Sequence, residues 1–178
     1  MNKVLFFTFL ILLSCSDLQK ETQQAKIQKL QSELSMNQAT FEREFIDTIH
    51  DMKYNAGELE RSIKFHYHSD TIDLELGRKV DTYKRMRRLL EALGRTGVML
   101  KKSFEEEEMQ LRGLLSDVEN GYGQRDQYDN YINLESTKNE QIFVLLQDYE
   151  RLKTSSFGIY DSLHVDLSRF VKQMIEKE

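Results

Sequence analysis

The fold is decided by residues 76–118, LGRKVDTYKRMRRLLEALGRTGVMLKKSFEEEEMQLRGLLSDV, in which an apolar or small residue recurs at every seventh position. The members of this row are Leu76, Tyr83, Leu90, Gly97, Phe104, Leu111 and Val118. A companion row on the same face consists of Met86, Leu93, Leu100 and Leu114. Alternating steps of three and four residues place side chains along one face of an α-helix. The stretch therefore predicts one long amphipathic helix.

The same spacing continues on both sides of this stretch. The upstream row consists of Ile27, Leu30, Leu34, Phe41, Phe45, Ile49, Met52, Ala56, Leu59 and Ile63. The downstream row consists of Tyr128, Tyr131, Ile132, Ile142, Leu145, Tyr149, Leu152, Ile159, Leu163, Phe170 and Met174, with a polar stretch at 133–141. Caps at 69–71 and glycines at 121 and 123 separate the rows. We expect helices at about 18–66, 71–120 and 126–176, the last kinked or broken at 154–158.

Short connections make consecutive helices antiparallel neighbours, so the predicted architecture is all-α, an elongated antiparallel three-helix bundle or coiled coil. If the chain reverses direction at Ser69, the first helix folds back along the second. Two residues then lie at the same height when their numbers add up to about 138. The basic cluster at 84–88 then lies beside Asp47 and Asp51, and the acidic run at 105–108 beside Lys26 and Lys29. In both cases opposite charges lie beside each other, which agrees with this antiparallel register. A dimeric coiled coil is the alternative, and homo-oligomerisation of the bundle is also open.

Composition narrows the class of protein. The 178 residues contain no proline, eight glycines and one cysteine; 39% are hydrophobic, and the net charge is −5. The small apolar fraction suits an apolar seam better than a thick globular core. A single cysteine excludes an internal disulfide framework and paired-cysteine metal sites. Mild acidity without a long basic tract argues against nucleic acid as a partner.

The N-terminus has the pattern of a signal peptide, in which a short start with one lysine precedes an apolar run at 4–13. The run is about half as long as a transmembrane helix requires. It ends in Leu12-Leu13-Ser14-Cys15, which contains the only cysteine of the chain. This segment resembles the lipobox of bacterial lipoproteins. Cleavage without lipidation, with an incidental cysteine, is the alternative reading.

The lipoprotein resemblance covers only the first fifteen residues, and it implies processing rather than a fold. It implies a signal peptide at 1–14 and a membrane anchor of acyl chains on Cys15. Residues 15–24 would then form a lipidated N-terminus and short tether, and residues 25–178 the helical bundle. The implied location is the cell envelope, with the outer membrane facing the periplasm favoured over the inner membrane.

Interface candidates lie near the predicted ends and on one basic cluster. The register places the turn between the second and third helices level with the lipidated end, and this region contains Tyr122, Tyr128 and Tyr131. Tyrosine suits a bilayer or protein interface because it joins an apolar ring to a polar hydroxyl. For Tyr128 and Tyr131 the alternative is that they begin the apolar seam. Arg85 and Arg88 are candidates for contact with an acidic partner or lipid headgroup.

One cluster resembles a set of metal ligands. It consists of His66, His68 and Asp70, which are spaced two residues apart. A role as ordinary polar residues of a turn is the alternative, so we predict no metal site there. The sequence contains none of the common hydrolase, zinc-protease, P-loop or dinucleotide-binding motifs. We therefore expect neither an enzyme nor a cofactor.

The expected function is that of a lipid-anchored helical scaffold, spacer or adaptor for other envelope proteins. The second hypothesis is a periplasmic helical bundle that binds or senses a small ligand. Its predicted feature is a polar pocket where Glu107 and Lys138 lie at similar heights.

Overall fold

The computed structural model describes the backbone of residues 2–42, 46–69, 71 and 73–177, and side chains for residues 18–41, 48–69, 71 and 73–177. Every long element in the described part of the chain is an α-helix. The helices are α1 (Asn2–Glu42), α2 (Ile46–His66), α3 (Leu74–Asn120) and α4 (Tyr128–Ile175). A 3-10 turn at Arg125–Gln127 precedes α4. The predicted all-α helical bundle is confirmed.

The helices form two compact units. The first unit contains the chain up to Phe41 together with residues 101–144, and the second contains residues 42–100 and 145–178. α3 and α4 contribute to both units, whereas α1 belongs to the first and α2 to the second.

Contacts within each unit fix the directions of the helices. In the first unit, Lys26 of α1 pairs with Asp129 of α4, and Leu30 pairs further along with Asn139, so α1 and α4 run parallel. In the second unit, α2 and α3 are antiparallel, because Lys53 pairs with Glu91 and Glu60 with Arg87.

The predicted seams of α1, α2 and α3 are buried at every described position. Tyr83, Leu90, Phe104 and Leu111 on α3 have no exposed surface. Phe45, from the upstream row, lies outside the described residues. Fully burying a side chain of this size contributes about 1.5–3 kcal/mol, so these rows dominate the folding energy.

The predicted seam of α4 is wrong by one position over part of its length. Of the two adjacent residues in the predicted row, Ile132 is buried and Tyr131 is exposed. Leu145, also in that row, is only half-buried, whereas its neighbour Leu146 is buried. The buried residues continue the three–four spacing from Tyr128 through the polar stretch. α4 has apolar residues on two adjacent rows, and packing against the other helices selects one of them.

The predicted register between the first and second sequence helices is wrong by about one heptad. Glu60 pairs with Arg87, and the ring of Phe41 contacts that of Phe104 with centroids 5.8 Å apart. The residue numbers of these pairs add up to 147 and 145 rather than 138. The chain between α2 and α3 does not reverse direction at Ser69. α3 begins at Leu74, where Asp73 caps it by accepting a hydrogen bond from the backbone N–H of Leu76 at 2.9 Å.

The charge pairs that supported that register are also different. The exposed acids of the 105–108 run pair along their own helix, Glu106 with Lys102 and Glu108 with Arg112. Lys29 likewise pairs with Glu33 on α1. Such pairs are local consequences of the helix and do not select its partner.

The predicted interruption of the third helix is absent, because α4 is one helix from Tyr128 to Ile175. Its start differs slightly from the prediction, since Asp126 lies in the preceding 3-10 turn and is not the cap of α4. α3 ends as predicted at a glycine: Gly121 has a φ of 68°, a left-handed conformation that glycine adopts without strain.

Candidate functional site

Polar side chains occupy core positions of α3 and α4, where the heptad spacing calls for apolar residues. They are Glu107, Glu135, Asn139, Lys153 and Ser156. Burying a polar group costs free energy unless a partner satisfies it. Positions that break the packing rule in this way are the natural candidates for function or for specifying the fold.

The first unit buries two carboxyl groups beside each other. Glu107 of α3 is 4% exposed and Glu135 of α4 is 7% exposed. Burial, followed by the charge of Glu135 and a hydrogen bond with it, raises the pKa of Glu107 to about 7, while Lys138 opposes the shift. Two adjacent buried carboxylates cannot both ionise cheaply. The folded chain therefore holds the proton of Glu107 more tightly than an exposed glutamate would.

Lys138 lies beside this pair of carboxyl groups. Its Nζ lies 2.7 Å from Oε2 of Glu135, and the hydrogen bond with Glu135 raises the pKa of Lys138. The Oε1 atom of Glu107 is buried without a hydrogen-bond partner among the described residues. Burial without a hydrogen-bond partner at this atom therefore favours the protonated form of Glu107.

Asn139 lies one helical turn beyond Glu135 and joins α4 to α1. Its Nδ2 donates a hydrogen bond of 3.0 Å to the main-chain carbonyl oxygen of Leu30. Its Oδ1 is buried without a partner in the described part of the chain. A single buried asparagine in a helical bundle typically selects one helix register at some cost in stability.

The second unit contains an aromatic hydrogen-bonded cluster. Tyr83 Oη of α3 and His164 Nδ1 of α4 form a hydrogen bond, and the Tyr160 ring stacks on His164 with centroids 4.4 Å apart. Tyr160 also hydrogen-bonds Asn55 of α2. Burial raises the pKa of Tyr83 and lowers the pKa of His164, so both groups are neutral at pH 7. The cluster joins three helices.

Lys153 is a buried cation in the second unit. Its Nζ lies 3.5 Å from Oε2 of Glu150 and 5.7 Å from the centroid of the Phe157 ring. Burial lowers the pKa of Lys153 and raises the pKa of Glu150, which brings the two values closer together.

The three predicted interface tyrosines have different environments. Tyr128 is 4% exposed, and its hydroxyl lies within donating distance of the carbonyl oxygens of Asp117 and Tyr122, so it secures the turn between α3 and α4. Tyr122 is 63% exposed and Tyr131 41% exposed. Tyr128 is therefore structural, and only the other two are accessible to a partner.

The turn between α3 and α4 lies beside the first described part of α1. Gln19, Lys20 and Gln23 line one cleft together with residues of the turn, including Gly121 and Arg125. This agrees with the predicted placement of the turn relative to the start of the first helix.

Arg85 and Arg88, the basic residues predicted to contact a partner, are both exposed but differ in their ion pairs. Arg85 pairs with Asp81 one turn earlier at 2.6 Å. Arg88 is exposed and has no ion pair within the described residues. The cluster does not contact Asp51 as the register predicted; Arg87 instead bonds Glu60, and the side chain of Asp47 lies outside the described residues.

The structure does not bring a metal-ligand set together in its described part. His66 ends α2 with its ring edge-on to Phe65, His68 is exposed, and Asp70 lies outside the described residues. Within the described ranges, no three His, Cys, Asp or Glu side chains are arranged to hold a metal ion. His164, the remote histidine, bonds Tyr83 instead.

The side chain of Cys15 and the residues of the apolar run lie outside the described side chains. Among the residues that the structure describes, no helix is long and apolar enough to cross a membrane.

Glu107 was predicted only as part of a polar pocket, and Glu135, Asn139 and Lys153 were not predicted as core residues. One signal was available. Extending the three–four spacing from Tyr128 and Ile132 leads directly to each of these positions.

Comparison with known proteins finds no matching family model, no matching curated protein and no matching solved structure. The class that fold and site define is an all-α helical bundle with polar groups buried along its core.

Proposed function

We propose that the protein is a bacterial lipoprotein, anchored by acyl chains on Cys15, whose helical part is a scaffold or adaptor for other proteins of the cell envelope. The observation that carries the proposal is the position of the single cysteine, directly after Leu12-Leu13-Ser14 and before a helical bundle. Two or more acyl chains anchor a protein stably, since each buried methylene contributes about 0.8 kcal/mol.

The accessible side chains of the first unit support an adaptor role. Tyr122 and Tyr131 expose apolar rings, and Leu134 is also largely exposed. Aromatic side chains of this kind are enriched at protein interfaces. Two buried polar groups of this unit bind other parts of the bundle, Asn139 the carbonyl oxygen of Leu30 and Glu135 the ammonium of Lys138, which favours a role in specifying the bundle over a role in catalysis.

Metabolic labelling with a radioactive fatty acid tests the anchor. The full chain should become labelled, Cys15→Ala should not, and the matched control Ser16→Ala should be labelled like the parent. Label that persists in Cys15→Ala would refute lipidation.

Site-specific photo-crosslinking in intact cells tests the adaptor role. A crosslinker at Tyr122 or Tyr131 should capture the same envelope protein reproducibly, whereas one at the exposed control position Glu105 should not. Absence of a specific adduct at both tyrosines would argue against the adaptor.

The second candidate function is a ligand-binding or sensing bundle. The part of the bundle around Glu107 and Lys138 does not favour ligand binding, because the carboxyl groups of Glu107 and Glu135 are packed into the core and contact each other. The favourable observation is a cleft between α2 and α3 in the second unit.

A further inference from the structure

We propose that the cleft between α2 and α3 of the second unit binds a phosphate monoester, with the phosphate on its basic side chains and an apolar or ring-shaped body along its wall. The cleft has a volume of about 630 Å³, within the usual range for small-molecule sites. The proposal deepens the ligand-binding alternative and does not depend on lipidation of Cys15.

The charge of the cleft is opposite to that of the whole chain. Four basic residues and one acid line it: Arg61, Lys64, Lys84, Arg87 and Glu60. The chain as a whole has a net charge of −5. Clustering of cations on a recessed surface of an acidic protein concentrates anions there.

Two of the cations lack an ion pair within the described part of the chain. Arg61 pairs with Glu58 and Arg87 with Glu60, but Lys64 and Lys84 have no ion pair among the described residues. Two uncompensated ammonium groups match the charge of a phosphate monoester, which is close to −2 at neutral pH.

Arg87 is held in position to complete the phosphate site. Its Nε donates a hydrogen bond of 2.8 Å to Oε1 of Glu60, whose side chain is only 12% exposed. This bond leaves the two terminal nitrogens of the guanidinium without a partner among the described residues. Arginine presents such donors in a planar arrangement that fits phosphate oxygens.

The wall of the cleft supplies the remainder of the site. Ile63, Val80 and the ring of Tyr67 line it, and a Cβ added at Gly57 would meet no atom within 4 Å. The absent side chain at Gly57 therefore contributes to the open volume. A recessed cleft of this size favours a small ester over an acidic protein segment, which would need a longer groove.

Methyl NMR of Ile63 and Val80 in the full chain, solubilised in a non-ionic detergent, tests the proposal. Phenyl phosphate, a dianion with a ring, should shift both signals saturably, whereas uncharged benzyl alcohol should not. The double variant Lys64→Gln/Lys84→Gln should weaken binding at least tenfold, and the matched variant Lys101→Gln, which changes an exposed lysine of the first unit, should leave it unchanged.

Gly57→Leu is a second test, in which the charges are retained. Leucine should fill the cleft and abolish the shifts while the helix remains intact, because leucine favours a helix more than glycine does. Circular dichroism would verify the fold of each variant.

A second pair of ligands distinguishes a lipid headgroup from a soluble ester as the natural phosphate ligand. Dioctanoyl phosphatidate, with dioctanoyl phosphatidylcholine as its control, should bind at least tenfold more tightly than phenyl phosphate if the natural ligand is a lipid headgroup. Equal or weaker binding indicates a soluble ester. Absence of saturable shifts with both phosphate esters, shifts that survive in both the double variant and Gly57→Leu, or shifts seen only with an acidic peptide would overturn the proposal.

Discussion

The side-chain amide of Asn139 donates a hydrogen bond of 3.0 Å to the carbonyl oxygen of Leu30, which is 109 residues earlier in the chain. The bond links α4 to α1 inside the core of the first unit, where both residues are buried. Only one relative position of the two helices allows it. The bond therefore specifies register, while the apolar seam supplies most of the stability.

Replacing this asparagine should separate stability from specificity. Asn139→Leu removes the unpartnered Oδ1 atom and extends the apolar seam, so the free energy of unfolding should rise by about 1 kcal/mol. Urea unfolding measures this change. Loss of the bond should also make the helix pairing less unique, which broadened amide NMR signals in the first unit would reveal.

Asn133→Leu is the matched control, because Asn133 is exposed on the same helix. It should change the free energy of unfolding little. A decrease of more than about 1 kcal/mol in Asn139→Leu would show that the bond to Leu30 is a main source of stability, contrary to our interpretation.

Glu107 should make the protein less stable as the pH rises. Its pKa is about 7 in the folded chain against an ordinary value of 4.5, so the folded state binds the proton more tightly. The stabilisation is complete below pH 4.5 and is lost as the pH rises through 7, by up to about 3 kcal/mol. Glu107→Gln should remove this component from the curve of unfolding free energy against pH.

The exposed neighbour Glu105 provides the control for that experiment. Glu105→Gln should leave the shape of the curve between pH 5 and 8 close to that of the parent. If the curves of the parent and Glu107→Gln were parallel, Glu107 would not hold a proton in the folded protein.

His164 should produce the opposite pH dependence. Burial lowers its pKa from the ordinary value of 6.5, so the unfolded chain binds a proton more readily than the folded chain. Stability from this group is complete above pH 6.5 and decreases as the pH falls below it. His164→Gln should flatten the acid side of the stability curve, whereas His50→Gln, a change at an exposed histidine, should not.

Tyr83→Phe removes the hydroxyl that bonds His164 and retains the ring. The free energy of unfolding should fall by about 1 kcal/mol, because a half-buried ring nitrogen loses its partner. Chemical denaturation measures the loss. Tyr54→Phe, at an exposed tyrosine, is the control and should have little effect; equal losses in the two variants would contradict a specific role for the Tyr83–His164 bond.

Two glycine substitutions should have opposite signs. Gly121 has a φ of 68°, and a Cβ there would meet the guanidinium of Arg125, so Gly121→Ala should cost about 1 kcal/mol. Gly94 lies within α3 with open space around it, so Gly94→Ala should add about 0.5–1 kcal/mol. Urea midpoints of the two variants against the parent test the prediction. A gain at Gly121 or a loss at Gly94 would contradict it.

The open space at Gly94 also shows that the described part of the chain does not approach this position closely. A glycine inside an amphipathic helix suggests close approach of another helix, but no atom lies within 4 Å of the Cβ position at residue 94. Gly97, three residues later, is the buried one. Glycine alone does not distinguish these two environments.

The α3 seam was predictable from the sequence except at Glu107, since every other position of its two rows is apolar or small. α4 was not, because Tyr131 and Leu145 compete with Ile132 and Leu146 for the same role. The two rows are adjacent on the helix, and propensity does not distinguish them. Packing against the rest of the bundle makes the choice.

The helical character of the chain follows from the amino-acid sequence alone, because periodic apolar residues, helix-favouring charged residues and absent prolines act over short distances. The lipobox resemblance is likewise local, as are the glycines that end α3. The tertiary structure decided what depends on distant residues: the rotation of α4, the register of α2 on α3, and the burial of Glu107 against Glu135. A side chain's pKa and partners depend on which helix faces it, and local spacing does not specify that face.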